Sequence, residues 1–184
     1  MPRAKATGPS TPSGEARRAL PPGYSVRRAA AADTATIAHH RRAMFEDIGT
    51  PGDLDAVERA FTAWLESRLD RTYFHWLAEH DGLPIGSAGV MLLDWPPSPR
   101  DPRGGLGFVY NVYVHAGHRR RGIAMALMLA VHDWARERGL GAVALHASED
   151  GQPLYEALGY RPTNEMRLDL LAPPNARGRK PSSP

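Results

Sequence analysis

A run rich in aromatic and β-branched residues, Phe108-Val109-Tyr110-Asn111-Val112-Tyr113-Val114, is followed shortly by His118-Arg119-Arg120-Arg121-Gly122-Ile123-Ala124. Apolar residues then recur at helical spacing, at Ile123, Leu127, Val131 and Trp134. A chain that passes from a strand through a glycine turn into an amphipathic helix must pack that helix back on the sheet. The first backbone N–H groups of the helix have no intrahelical partners, and the helix dipole puts partial positive charge at the same end, so the turn is an anion site. Gly122 lacks a Cβ and lets a ligand approach the backbone, and small Ala124 keeps a second approach open. Arg119, Arg120 and Arg121 add formal charge where the amides point.

The rest of the composition narrows what such a site serves. The chain has 184 residues, 42% of them hydrophobic, which suits one domain with tails. It contains no cysteine, which excludes disulfides, thiolate metal sites and a cysteine nucleophile, and makes the cytoplasm the expected compartment. No apolar run approaches the ~20 residues needed to cross a bilayer, and Met1-Pro2-Arg3-Ala4-Lys5 is not followed by a signal-type apolar region, so no membrane association is expected. Net charge is +3, with basic residues gathered in both tails and around Arg119. Without a recognisable reading module, nucleic acid is not the expected partner, and a multiply phosphorylated small molecule suits the pattern better. His39-His40 and the histidines at 115 and 118 have no carboxylate or cysteine at metal-ligand spacing and read as polar surface; no metal is expected. Gly104-Gly105-Leu106-Gly107 lacks the ending of a Walker loop, and no Gly-x-Ser-x-Gly elbow occurs.

Residues 1–22 and 172–184 are basic, rich in Pro, Gly and Ser and without apolar periodicity, and are expected to be disordered tails around an ordered domain at 24–171. Within it, Tyr24–Ala30 reads as a strand, and Asp33 as the N-cap of a helix to about Asp47. A second helix is predicted from Leu54 to Leu69, capped by Asp53. Strands at 72–80 and 83–93 flank Asp81-Gly82, a two-residue hairpin turn. After a Pro- and Gly-rich loop come the strand at 108–114, a helix at 120–138 stopped by Gly139, a strand at 142–147, a helix at 152–158 and a last strand at 166–171.

Read from Arg119 to Ala124, the spacing Arg-x-x-Gly-x-Ala resembles the pyrophosphate-binding signature of the GCN5-related N-acetyltransferases (GNAT). Val112-Tyr113-Val114 matches the segment ahead of that loop, and Leu154-Tyr155-Glu156-Ala157-Leu158-Gly159-Tyr160 is similar to the family's Leu-Tyr-x-x-x-Gly-Phe segment. The resemblance implies an α+β fold, a mixed and mostly antiparallel sheet flanked by helices on both faces. It implies acetyl-CoA as acyl donor, held by Val112, Tyr113, Val114, Arg119, Arg120, Arg121, Gly122, Ile123 and Ala124, with no metal. It gives Tyr155 the role of catalytic proton donor to the leaving thiolate, in direct attack by an amine within a ternary complex. The expected acceptor is a primary amine of a small molecule.

Phe108 stands where part of the family carries a glutamate, so that base is missing. Tyr110, Asn111, Asp94, Glu46 and His146 are the remaining groups that could orient water or accept a proton, and deprotonation through water is expected. The segment from His40 to Gly49 lies where the family forms an acceptor wall, with Met44 and Phe45 as an apolar lid or as core, and Arg41, Arg42, Glu46 and Asp47 available to a polar acceptor. The stretch from His146 to Pro153, with Pro162 to Met166, is similar to a branch of small bacterial acetyltransferases. Dimers are common in the family, which leaves a homodimer open. The alternative function is a non-catalytic acyl-CoA-binding sensor, which would keep the loop without depending on Tyr155.

Overall fold

A computed structural model describes residues 19–99 and 101–166. The hairpin around Asp81-Gly82 is its centre. Both turn residues have positive φ, 50° and 80°, the geometry whose twist matches that of the flanking strands. The turn joins β2 (Tyr73–His80) to β3 (Leu83–Leu93) in antiparallel register, His80 opposite Leu83 and Tyr73 opposite Met91. On one side β1 (Tyr24–Arg28) pairs antiparallel with β2, and on the other β4 (Leu106–Val114) pairs antiparallel with β3. Among the described residues, only β5 (Val143–Leu145) runs parallel to its neighbour, β4. The sheet order is β1-β2-β3-β4-β5.

Alternation along β2 sends its residues into two cores. Phe74, Trp76 and Ala78 face α3 (Ile123–Glu137), which contributes Ile123, Leu127, Met128, Val131 and Trp134 to the larger core. Tyr73 and Leu77 face the opposite layer, α1 (Thr34–Asp47) and α2 (Leu54–Glu66), through Ile37 and Leu65. Both sheet faces are therefore buried, and β2 reads as a continuous buried run from Tyr73 to Ala78. α4 (Gln152–Ala157) is short and follows β5.

Several expected boundaries move for physical reasons. Asp33 makes no side-chain cap on α1. Its carboxylate accepts from the Ala30 N–H at 2.7 Å and from Arg27 at 2.7 and 2.8 Å, closing a single 3-10 turn ahead of the helix. Asp53 does cap α2, accepting from Ala56 N–H at 2.9 Å. α2 stops at Glu66 rather than Leu69, because the Arg68 carbonyl accepts from the N–H groups of Arg71, Thr72 and Tyr73 and turns the chain into β2. α3 begins at Ile123 rather than Arg120, since Arg120 (φ 63°) and Gly122 (φ 81°) are both left-handed. The strand expected at 142–147 shortens to Val143–Leu145. Residues 1–18 of the first tail, the second tail and the strand expected at 166–171, apart from its first residue, lie outside the described residues; Leu20, in the stretch expected to be disordered, packs against the larger core.

Candidate active site

The donor side is built by the divergence of β4 from β5. The two strands pair only at Gly107, Phe108 and Val109, opposite Val143, Ala144 and Leu145. β4 continues to Val114, so among the described residues the edge of residues 110–114 that faces away from β3 has no strand partner. A β-bulge marks the change. Gly89 pairs with Tyr110 and Ser87 with Tyr113, which leaves Asn111 and Val112 opposite Ala88. Asn111 adopts φ 57°, the left-handed conformation that asparagine tolerates better than most residues. The bulge changes the phase of the strand. Val109 packs on the α3 side, and Val112 and Val114 do the same beyond the bulge. Tyr110 and Asn111 both line the cavity on the α1/α2 side.

Beyond β4, a 3-10 turn at Ala116–His118 leads into Arg119-Arg120-Arg121-Gly122. All four are exposed at the N-terminus of α3. The helix opens with a bond from Ala126 N–H to the Gly122 carbonyl at 3.0 Å, so the N–H groups of the residues between them have no intrahelical acceptor. A Cβ placed on Gly122 would meet nothing within 4 Å. The space above the loop is thus open to a ligand, and the residues fit a pyrophosphate in the terms that matter: donors, dipole and charge.

The arginines and the loop's apolar residues divide the work unevenly. Arg119 donates from Nε to the Val114 carbonyl at 2.8 Å and pairs through Nη2 with Asp47 at the end of α1. Its charge is therefore already matched, contrary to the expectation that all three arginines face a ligand alike; Arg120 and Arg121 form no ion pair among the described residues. Ile123 is 2% exposed, so it offers only its backbone. The Tyr113 ring is buried against His40 on the α1 side, with centroids 5.2 Å apart, and it too offers backbone rather than side chain.

Tyr155 sits on α4, half-buried, its ring edge-on to Tyr160 at 5.7 Å. Burial pushes its phenol above the ordinary value. Tyr160 is held in turn by His132 Nε2 at 2.9 Å from its hydroxyl.

Between α1, α2 and β4 lies a cavity of about 420 Å³ lined by Arg41, Val57, Ala60, Phe61, Trp64, Tyr73, Met91, Tyr110 and Asn111. The Arg41 guanidinium sits over the rings of Phe45 and Phe61 at 4.8 and 4.7 Å and donates to Asn111 Oδ1. Asn111 Nδ2 donates to the Tyr73 hydroxyl at 2.8 Å, and that hydroxyl is 3.2 Å from His75 Nδ1. Because Asn111 Nδ2 is a donor, the Tyr73 hydroxyl accepts from it. Burial holds the His75 imidazole down to about 3 and His40 down to about 4.

The family model described as Acetyltransferase (GNAT) family matches residues 35–160. The chain belongs to the GNAT acetyltransferase family. It is 32% identical over 120 residues to a glucosamine 6-phosphate N-acetyltransferase of Trypanosoma brucei brucei, covering 64% of this chain and 78% of that one. A GCN5-related N-acetyltransferase from Ralstonia eutropha JMP134 superposes with a TM-score of 0.75 at 39% identity, over 82% of this chain and 100% of the other. A predicted acetyltransferase from Clostridium acetobutylicum, solved with acetyl-CoA, also gives a TM-score of 0.75, at 27% identity over 80% of this chain and 97% of the other. Several mammalian N-acetyltransferase 8 relatives are longer, and the chain spans less than half of their length. This GNAT chain is an acyltransferase, and among its described residues no helix is long and apolar enough to cross a membrane.

Within this GNAT fold the sequence-predicted donor residues come together as one continuous strand, loop and helix start. The groups considered as bases do not converge. Asp94 is exposed beyond β3, Glu46 is paired with Arg42 at 2.8 Å, and His146 is paired with Glu165 at 2.7 Å. Only Tyr110 and Asn111 face the cavity. His40, read as polar surface, is 5% exposed and belongs to the interior; His39 beside it is exposed. Phe45 packs beneath Arg41 instead of standing as a free lid. Sequence reasoning missed Phe61, Trp64 and Tyr73 as cavity walls. The available signal was their place on the inner stripe of α2 and on the face of β2 opposite Phe74.

Proposed function

We propose that the domain over residues 24–171 transfers an acetyl group from acetyl-CoA to a primary amine of a small molecule, with both substrates bound at once. The observation that carries this reading is the free edge of β4 at 110–114 leading into an open, amide-lined loop at Gly122. The backbone of Val112, Tyr113 and Val114 would pair with an extended, amide-bearing arm as an added strand does. The loop from Arg119 to Ala124 would hold the pyrophosphate by its N–H groups, with Arg120 and Arg121 supplying charge and Arg119 bracing the loop against Val114 and Asp47. When bound, acetyl-CoA supplies an activated acyl group, so the chain itself needs to orient, polarise and move protons. Tyr155 would do the last of these. Its raised phenol stays protonated at neutral pH and can hydrogen-bond or protonate the departing thiolate. Tyr110 and Asn111 border the acceptor cavity and would orient the water that takes the amine proton.

The deciding experiment is acetyl-CoA binding by calorimetry, paired with thiol release over an amine panel. Gly122→Trp, which fills the open space above the loop, should weaken acetyl-CoA binding by at least about tenfold, the equivalent of 1.4 kcal/mol. Unchanged binding would remove the loop from the site. Binding with no amine-dependent thiol release would favour a sensor over an enzyme.

A further inference from the structure

Among the described residues, the acceptor cavity holds one formal charge, and that charge has no counter-ion. Arg41 has no carboxylate partner among the described residues. The acids around it are committed elsewhere: Glu46, Asp55 and Glu58 to Arg42, and Asp47 to Arg119. Among the described residues, no aspartate or glutamate lines the cavity. Burial pulls the Arg41 guanidinium below its ordinary value, the direction expected of a cation without a counter-ion.

Its orientation is nevertheless fixed. Phe45 and Phe61 hold the guanidinium at 4.8 and 4.7 Å, and Asn111 Oδ1 takes Nη1. Nε and Nη2 have no protein acceptor among the described residues. A guanidinium held in one plane with donors to spare is shaped for the two oxygens of a carboxylate. We infer that Arg41 anchors a carboxylate on the acceptor, and that the acceptor is an amine bearing that carboxylate beside an apolar or aromatic body, as in an apolar amino acid.

The walls support this class over its rivals. A polyamine or an aminoglycoside would bring positive charge to a cavity whose one formal charge among the described residues is also positive. A sugar phosphate would satisfy Arg41, but its hydroxyls would face Val57, Phe61, Trp64 and Met91, which offer no hydrogen bonds apart from the indole N–H. An aromatic or branched aliphatic body finds surface to bury there, and about 420 Å³ is ample for it. The inference rests on the acyl-transfer reading, because it names what the acceptor of that reaction carries.

The test is a calorimetric titration of L-phenylalanine and of phenethylamine, which differ by the carboxylate alone, with and without coenzyme A. Spermidine and glucosamine 6-phosphate serve as further arms. Phenylalanine should bind at least about tenfold more tightly than phenethylamine, and more tightly than the other two. In Arg41→Gln that preference should vanish, and Arg41→Lys should restore part of it. Equal or reversed affinities, tighter binding of spermidine or of glucosamine 6-phosphate, or no binding of phenylalanine overturns the inference. If Arg41→Gln fails to fold, by melting temperature and coenzyme A binding, the wild-type pair of ligands still decides. Acetyl-CoA binding by the wild-type protein separately tests the acyl-transfer reading, so the two can fail independently.

Discussion

Tyr155 and Asn111 carry the residue-scale arguments. Tyr155→Phe removes a proton donor and little packing, so turnover should fall about a hundredfold, in the range of a lost general acid, with acetyl-CoA affinity within a factor of about two. Steady-state kinetics beside calorimetry check it; a proportional loss of affinity would mean that the ring and not the hydroxyl matters. Asn111 combines a left-handed backbone with a buried hydrogen bond to Tyr73 and a half-buried one from Arg41. Asn111→Ala should cost about 2–3 kcal/mol, from strain together with lost bonds. Asn111→Gly loses the same bonds without the Cβ strain and should cost about 1 kcal/mol less. Urea denaturation of both variants separates the two contributions, and equal losses would show that the conformation is free of strain.

At the scale of elements, β3 approaches its neighbours closely where glycine stands. A Cβ at Gly89 would lie 2.0 Å from the Tyr73 hydroxyl and 2.5 Å from His75 Nδ1. Gly89→Ala should therefore displace the Tyr73–His75–Asn111 chain and destabilise by about 2–3 kcal/mol, an overpacking cost; a thermal shift of only a degree or two would contradict it. Most elements were legible because periodicity and turn chemistry agree. The β2–β3 hairpin follows from Asp81-Gly82, α2 from Asp53 and its apolar spacing, and the end of α3 from Gly139. The start of α3 was misplaced because three arginines have good helix propensity, whereas two left-handed residues set the true boundary. The bulge at Asn111 was invisible in the pattern. Strict alternation would have placed Tyr110 with Val112 on one face, and nothing local to the sequence announces the inserted residue.

For the whole molecule, the buried histidines set the pH dependence of stability. His40 and His75 are neutral in the fold, at about 4 and about 3, against an ordinary 6.5. Unfolding lets them protonate, so their contribution is present above pH 6.5 and is lost as pH falls toward the folded values. Each should cost about 2 kcal/mol between pH 7 and pH 5. Asp33, held low mainly by its bonds from Arg27, contributes with the same sign but only below the ordinary carboxylate range. Urea midpoints across pH 7 to 5 measure the histidine part alone, and a flat profile would mean that the two rings titrate normally. These histidines were misjudged or overlooked in the sequence because burial depends on the packing of α1 across the sheet. The donor loop was legible because its residues are contiguous. The acceptor cavity draws on α1, α2, β2, β3 and β4, and no linear pattern brings those together.

The extra residue in β4 also decides which changes of length the strand tolerates. Val112 and Val114 reach the α3 core only because Asn111 shifts the count. Deleting Asn111 would remove the bulge and leave plain alternation to keep both valines on the α3 side and Tyr113 on the other, whereas inserting one more residue in regular strand conformation would turn both valines outward and carry Tyr113 inward. Such an insertion would exchange, in one step, the segment that serves the donor with the wall that serves the acceptor.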